Sequence, residues 1–287
     1  MSIFTNEMKE FFQTNGYVLI KNAVPKSYCD RLVQVIWDFM GKSPDDPEGW
    51  YTPAKGMDTF WEGQAAGMLP LYNHQAMWDI RQHPNVYEAF SELIGEKKLR
   101  VSLDRVSMKP PKRADHPGLS ANFIHWDEDT TDLQFPLKQP RPLQGVVYLA
   151  DTAANQGGFQ CVPSIYRNME EYLKAQPEGR DPRQPDLTGY EVEPIPGEAG
   201  DLLIWDVLLP HGSGDNLSDK PRFAQYVLMF PEDKLTQEET EMYIESVRNH
   251  RGRTGNQVDP RYWEKNDHDG PVQLTPLGRK LLGIDPW

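Results

Sequence analysis

Residues 202–230 read LLIWDVLLPHGSGDNLSDKPRFAQYVLMF, and this stretch decides the fold class. The unbroken apolar run at 202–205 is typical of a short buried strand. From Arg222 onward the side chains alternate with a period of two, which predicts a second strand. Turn residues join the two strands and no helical pattern separates them. The stretch therefore favours antiparallel strands over a doubly wound parallel sheet.

The rest of the chain extends this pattern. Period-two alternation recurs at 99–103 and 143–150, between Gly- and Pro-rich turns. Apolar residues at helical spacing predict helices after Thr5, Pro25 and Pro84 that end at Gly16, Gly41 and Gly95, and further helices near 236–249 and 276–282. Residues 43–75 lack periodicity and predict a long aromatic loop, of a kind that often forms a lid or a binding surface. We expect a mainly β protein with flanking helices around an antiparallel double-sheet barrel.

At 287 residues the chain fits one domain. We divide it into a helical N-terminal part with the lid loop (1–98), a β core (99–231) and a C-terminal helical extension (232–287). A net charge of −13 without any dense Lys/Arg run argues against nucleic acid and against an anionic membrane as partners. No leader or membrane-spanning stretch is recognisable, so we expect a cytoplasmic location. The two cysteines, Cys29 and Cys161, are expected to be reduced packing residues.

The segment Phe123-Ile124-His125-Trp126-Asp127 holds the strongest local motif. In an extended chain His125 and Asp127 project to one face while Trp126 turns towards the core. His211 directly follows an apolar strand and is the best candidate for a third ligand. Two imidazoles and one carboxylate on one face leave three coordination positions open, which suits non-haem Fe(II) and dioxygen. A His-x-Asp motif alone is common by chance, so the metal site needs His211.

Arg222 opens a strand on which Arg222, Ala224, Tyr226, Leu228 and Phe230 share a face. If that face lines the barrel interior, burying a guanidinium there costs free energy unless the group pairs with an anion. Its fork of donors matches a carboxylate with two parallel bonds. The alternative is a salt bridge from Arg222 to Asp206 or Asp215.

With these motifs in place, the chain resembles the phytanoyl-CoA dioxygenase (PhyH) family of 2-oxoglutarate oxygenases. The likeness is carried by FFQTNGYVLIKNAV, DRVSMKPP, HWDED, QGVVYLADTAANQGGFQCVPSIYRN and LPHGSGDNLSDKPR. It implies a double-stranded β-helix (a cupin-like jelly roll), iron held by His125, Asp127 and His211, and 2-oxoglutarate held by Arg222. In QCVPSIYRN the chain departs from the Gly and His that many members have after the proline, which alters a loop and leaves the ligand set intact.

Three further residues are candidates for cosubstrate contacts. The resemblance implies that Ser213 hydrogen-bonds the same carboxylate as Arg222, although its hydroxyl could equally cap the turn. Strand alternation places Arg105 on an inward face, unless a bulge near Asp104 turns it outward. In the family, strand positions similar to that of Gln144 face the cosubstrate. A buried Gln side chain that hydrogen-bonds to the backbone would explain this residue equally well. Trp50, Tyr51 and Trp61 are candidates for the wall of a substrate site, although aromatic residues in a lid serve packing as often as recognition.

The resemblance implies oxidation of a C–H bond with dioxygen and release of succinate and carbon dioxide. The family's halogenating relatives replace the metal carboxylate with a small residue, and the presence of Asp127 therefore favours hydroxylation. Desaturation, epimerisation or cyclisation with the same cofactors stays open. The rivals are a non-catalytic jelly-roll binding module and a zinc-dependent hydrolase or isomerase, and the latter leaves Arg222 without a role. We expect a small metabolite as substrate, while the resemblance leaves a coenzyme A thioester open. The sequence gives no indication of the oligomeric state.

Overall fold

The computed structural model of the chain describes residues 2–59, 67–119, 121–137, 141–254, 257–258, 261, 264 and 270–287. Within these ranges the chain forms helices flanking antiparallel sheets. The helices are α1 (Asn6–Asn15), α2 (Lys26–Met40), α3 (Gln75–Arg81), α4 (Pro84–Ile94), α5 (Pro163–Arg167), α6 (Met169–Ala175), α7 (Gln237–Arg248) and α8 (Pro276–Leu282). Short 3-10 turns occur at Gly49–Tyr51, Pro117–Leu119 and Glu232–Lys234.

The ends of the N-terminal helices follow from local chemistry. The Thr5 hydroxyl caps α1 by accepting from the backbone N–H of Met8. Gly16, Gly41 and Gly95 each end a helix in the left-handed conformation, which a residue without a Cβ adopts without strain. The predicted ends of these three helices are therefore confirmed.

The strands are short and fall mostly where period-two patterns occur. They are β1 (Tyr17–Ile20), β2 (Met68–Leu69), β3 (Leu99–Val101), β4 (Val106–Lys109), β5 (Leu143–Tyr148), β6 (Phe159–Cys161), β7 (Glu193–Pro194), β8 (Leu202–Asp206), β9 (His211–Ser213), β10 (Arg222–Val227), β11 (Met229–Pro231), β12 (Arg253–Thr254) and β13 (Gln257–Val258).

Two antiparallel sheets form the barrel. The larger has six strands in the order β1-β8-β5-β10-β4-β2, and the smaller has three in the order β7-β6-β9. Leu203 and Trp205 of β8 face the smaller sheet, where they pack with Phe159. Leu202 and Ile204 point the other way, into the apolar cluster that the helices cover. Because both faces of β8 are buried, its sequence is an unbroken apolar run.

These sheets confirm the predicted mainly β fold with flanking helices. The division into three parts stays a prediction, and β1 from the N-terminal part pairs with β8 along residues 17–20. Both cysteines are reduced and buried, Cys29 on α2 and Cys161 on β6. No helix in the described ranges is long and apolar enough to cross a membrane.

The structure corrects several local predictions. The predicted loop at 43–75 contains β2, and α3 begins at Gln75, where the His74 side chain caps it by accepting from the N–H of Ala76. The helices α5 and α6 follow β6 and were not predicted. The strand from Arg222 stops at Val227, and β11 then pairs with β3, so Phe230 does not share the inner face of Arg222.

Candidate metal and cosubstrate site

Two distant segments meet where β9 lies beside residues 121–127. The backbone N–H of His125 donates to the His211 carbonyl at 2.9 Å, and the N–H of His211 donates to the His125 carbonyl at 3.0 Å. Gly212 makes this approach feasible. A Cβ built at Gly212 would lie 1.8 Å from the Phe123 carbonyl oxygen, so a side chain there would push the segments apart.

The bridge brings three potential metal ligands together. His125 Nε2 lies 3.4 Å from Asp127 Oδ1, and His211 Nε2 lies 3.3 Å from Asp127 Oδ2. One ligand atom from each residue falls within 4.8 Å of the others. Two atoms that bind one metal ion at about 2.1 Å and at right angles are about 3 Å apart. The three side chains therefore fit around a single ion with little movement.

The hydrogen bonding of His211 suits a cation between these groups. Its Nδ1 lies 2.8 Å from the Leu209 carbonyl oxygen, which can only accept, so Nδ1 carries the proton. In the neutral ring, Nε2 then carries a lone pair that is directed at Asp127. Asp127 Oδ2 is buried and has no donor other than His211, so without a proton or a metal ion between them a lone pair and a carboxylate oxygen would face each other. A bound metal ion resolves this repulsion, and the carbonyl bond fixes the ring as a ligand.

Asp127 is held in the ionised form that a metal requires. Burial acts to raise the pKa of Asp127, but hydrogen bonds from His125 and His211 outweigh it and hold that pKa well below its usual range. The two histidines differ in their surroundings. His211 is buried against the rings of Phe159 and Trp205, with centroids 5.7 Å and 5.1 Å away, whereas His125 is partly exposed to the adjoining cavity.

A cavity of about 290 Å³ opens beside the three ligands. All four of the other predicted site residues line it: Arg105, Gln144, Ser213 and Arg222. Aromatic rings supply much of the remaining wall, and they come from Phe123, Tyr148, Phe159, Trp205 and Tyr226. Polar groups at a few points in a largely aromatic wall are typical of small-molecule sites.

Arg222 is 3% exposed and opens β10 at one end of this cavity. Its Nε donates to the Gly157 carbonyl at 3.1 Å. Asp206 is paired with Arg141, and Asp215 is paired with Lys112, so neither forms the alternative salt bridge to Arg222. Throughout the described part of the chain no acidic residue forms an ion pair with Arg222. A buried guanidinium in this setting suits an anionic ligand.

The other candidates occupy distinct positions. The Ser213 hydroxyl accepts from Lys109 Nζ at 2.9 Å, and Gln144 lies on β5. Arg105 falls in the break between β3 and β4, where its Nε donates to Asp104 at 3.0 Å. The bulge expected near Asp104 is therefore a full interruption of the strand, yet Arg105 still lines the cavity.

The predicted aromatic wall from the lid loop was wrong for two of its three residues. Trp50 packs on Trp37, and the Tyr51 hydroxyl donates to the Pro111 carbonyl at 2.7 Å. Neither ring is among the described residues that line the cavity. Trp61 lies outside the described residues. Met68 of β2 instead brings the end of this loop to the cavity.

Sequence reasoning missed one polar residue beside the site, Lys109. It ends β4 directly opposite Arg222, and its side chain is fully buried. Burial, followed by the neighbouring positive charge of Arg222, lowers the pKa of Lys109 to about 7. The signal was present in VSMKPP, where a lysine ends an apolar strand immediately before two prolines.

Comparisons with known proteins agree with this geometry. The sequence profile described as Phytanoyl-CoA dioxygenase (PhyH) matches residues 12–224. A Dictyostelium discoideum protein that carries a phytanoyl-CoA dioxygenase name is 25% identical over 315 aligned residues, covering 96% of this chain and 86% of that protein.

Solved structures with this fold include two enzymes of nogalamycin chemistry. The epimerase SnoN, solved with Fe3+, alpha-ketoglutarate and nogalamycin RO, is 17% identical with a TM-score of 0.56, over 78% of this chain and 82% of SnoN. The alpha-ketoglutarate-dependent carbocyclase SnoK is 20% identical with a TM-score of 0.55, over 79% of this chain and 84% of SnoK. At these identities the likeness shows a shared fold.

Proposed function

The chain belongs to the phytanoyl-CoA dioxygenase family, and from this premise we propose that it is an Fe(II)- and 2-oxoglutarate-dependent dioxygenase acting on a small-molecule metabolite. One observation carries the proposal. His125, Asp127 and His211 converge on one point, where His211 Nε2 lies 3.3 Å from a buried carboxylate oxygen of Asp127. The buried Arg222 lines the same cavity. This combination suits ferrous iron and a keto acid together.

The three residues would hold one side of the iron, with the cavity side left for 2-oxoglutarate and dioxygen. When bound, these groups would supply the oxidising chemistry, in which 2-oxoglutarate, dioxygen and a C–H bond give succinate, carbon dioxide and the hydroxylated product, with one oxygen atom of dioxygen in succinate and the other in the product. Arg222 binds the distal carboxylate of 2-oxoglutarate with charge-assisted hydrogen bonds. Gln144 and Ser213 add polar contacts on the same wall. The aromatic lining excludes water from the reacting groups.

Arg105 belongs to the substrate side of the cavity. The N–H of Tyr226 donates to the Arg105 carbonyl at 3.0 Å, whereas Arg222 lies four positions earlier on β10. At about 3.3 Å a residue, the two arginines are separated by about 13 Å along the strand. A five-carbon dicarboxylate with bonds of about 1.5 Å spans only about 6 Å, so we assign it to the Arg222 end of this separation and leave the Arg105 end to the substrate. Arg105 and its neighbour Asp104 therefore face a polar group of the substrate.

The cavity limits the size of that substrate. A volume of about 290 Å³ lies at the lower end of the range of about 300–1,000 Å³ that is usual for small-molecule sites. 2-Oxoglutarate fills part of it. A free small metabolite fits this space, whereas only the acyl end of a coenzyme A thioester would enter it.

Hydroxylation is the reaction that we favour. Asp127 occupies the ligand position that halogenating relatives leave open, so the site has no vacancy for a halide. SnoN and SnoK carry the names of an epimerase and a carbocyclase, so epimerisation or ring closure on the same scaffold is the second candidate. Product analysis by mass spectrometry separates them, because hydroxylation adds one oxygen atom, epimerisation leaves the mass unchanged and ring closure through a new bond removes two hydrogens.

The direct test is succinate formation by the Fe(II)-loaded protein with 2-oxoglutarate and a panel of metabolites. We expect the wild-type chain to form succinate. The rate of succinate formation by His125→Ala is expected to be at least about a hundredfold lower, because one of the three metal ligands is missing. His116→Ala is the matched control, since His116 does not line the cavity. Full metal-dependent turnover by His125→Ala would refute the assignment. A non-catalytic module predicts no succinate from any variant, and a zinc hydrolase predicts no dependence on 2-oxoglutarate.

A further inference from the structure

Lys109 joins the segments that build the site. Its Nζ donates to the Ala121 carbonyl at 2.6 Å, to Ser213 Oγ at 2.9 Å and to the Gly214 carbonyl. Ala121 lies just before the His125 segment, and Ser213 and Gly214 follow His211. An ammonium group has three donors, and all three are satisfied here. One buried side chain on β4 thus ties both metal-ligand segments together.

A tether alone does not explain a lysine at this position. Burying an ammonium group costs more free energy than burying an apolar side chain of similar volume. Lys109 also lies directly across the β4–β10 ladder from Arg222, so two cations share one face of the sheet. Such a pair is unfavourable until an anion arrives. Both features point to a role in anion binding, although Lys109 itself is not among the residues that line the cavity.

The contact with Ser213 supplies that role. When a hydroxyl oxygen accepts a hydrogen bond from an ammonium group, the hydroxyl proton points away from that ammonium group. Because Ser213 lines the cavity, its proton is available to a ligand there. Accepting from a cation also polarises the hydroxyl and makes it a stronger donor. We propose that Lys109 is a positioning residue that aims the Ser213 hydroxyl proton into the cavity, where Ser213 and Arg222 together bind the distal carboxylate of a five-carbon dicarboxylate. This inference rests on the proposed function.

The test uses glutarate, which has both carboxylates of 2-oxoglutarate but no keto group to chelate iron. Anaerobic calorimetric titration of the Fe(II)-loaded chain measures its affinity without turnover. Lys109→Met is expected to weaken glutarate binding about tenfold to a hundredfold, and Ser213→Ala to do likewise. If Lys109 acts through Ser213, the double variant loses little more than either single variant. Ser213→Thr keeps a hydroxyl and is expected to bind nearly as well as wild type.

The outcomes separate the two claims. Wild-type affinity in a folded Lys109→Met protein, together with loss in Ser213→Ala, would overturn the positioning role and leave the oxygenase assignment intact. Fully additive losses in the double variant would also overturn it, because Lys109 would then act independently of Ser213. If the wild-type chain does not bind glutarate, the cosubstrate site itself is wrong.

A second measurement decides the matter if Lys109→Met does not fold. The groups facing Lys109 are Arg222 on β10 and, from neighbouring segments, Asp215 and Lys112. Glutarate affinity of wild type is expected to fall between pH 6 and 9 as Lys109 loses its charge, and that of Ser213→Ala to change less. Equal pH dependence in the two proteins would overturn the inference.

Discussion

The backbones of His125 and His211 exchange a reciprocal pair of hydrogen bonds, which makes the two iron-ligand candidates direct neighbours across an antiparallel bridge. A hydrogen-bonded antiparallel pair sets its Cα atoms about 5.5 Å apart. The spacing of the imidazoles is therefore fixed by main chain and not by flexible side chains. Preorganisation of this kind lets a metal bind without ordering the ligands first.

The bridge predicts that Gly212→Ala damages the site. The added Cβ would overlap the Phe123 carbonyl oxygen, so the two segments must separate. We expect a loss of about 3 kcal/mol in the free energy of unfolding and a large loss of Co(II) or Fe(II) affinity. Gly214→Ala is the control, because its Cβ would meet only the Gln160 side chain at 3.0 Å. Equal stability and metal affinity in the two variants would contradict the account.

The cosubstrate site predicts a selective effect of Arg222. Arg222→Met removes the charge-assisted bonds to the distal carboxylate, each worth about 1.5–3 kcal/mol. We expect the KM for 2-oxoglutarate to rise about tenfold to a hundredfold while metal affinity is retained. Arg167→Met, at an exposed arginine whose side chain donates to Asn15 Oδ1, is expected to leave the KM unchanged. A rise in the substrate KM alone would place the keto acid elsewhere.

For Arg105 we expect the opposite selectivity, with an effect on the KM for the substrate and not on the KM for 2-oxoglutarate. Arg105→Gln removes a cation from the part of the cavity that we assign to the substrate. With a substrate identified from the metabolite panel, we expect its KM to rise about tenfold and the KM for 2-oxoglutarate to stay within about twofold. Steady-state kinetics with each compound varied in turn measures both. Equal rises in the two KM values would show that Arg105 acts on the fold of the whole site.

Lys109 predicts a pH dependence of stability. The folded pKa of Lys109 is lowered to about 7, below the unfolded value of about 10.4. Between these values the unfolded chain binds more protons, so wild type gains stability relative to Lys109→Met as the pH rises. Below pH 7 the difference in the free energy of unfolding between wild type and Lys109→Met is constant. Urea unfolding at pH 7, 8 and 9 measures it, and a difference that does not change with pH would show that Lys109 is not perturbed.

The sequence predicted the parts of this protein that depend on local pattern. The alternation at 143–150, the apolar run at 202–205 and the helix ends at Gly41 and Gly95 are each properties of neighbouring residues, and the structure confirms them. His125 and Asp127 share a face because strand geometry requires it, and the structure brings His211 to them.

The missed features depend on contacts between distant residues. The burial of Lys109 arises from Ala121, Ser213 and Gly214, which no local period connects to it. The helix α3 starts at a His74 cap inside a stretch with no clear apolar period. Trp50 and Tyr51 belong to an aromatic-rich loop, but composition could not show that they pack away from the cavity.

The central claim is that His125, Asp127 and His211 hold one ferrous ion beside a site for 2-oxoglutarate. Anaerobic addition of Fe(II) and then 2-oxoglutarate, followed by visible absorption, tests it most directly, because a 2-oxo acid that chelates ferrous iron gives a charge-transfer band. The account predicts this band at one equivalent of iron in wild type, its loss in His211→Ala, and a weaker affinity for 2-oxoglutarate in Arg222→Met. A wild-type protein without the band, or one in which His211→Ala retains it unchanged, would contradict the account.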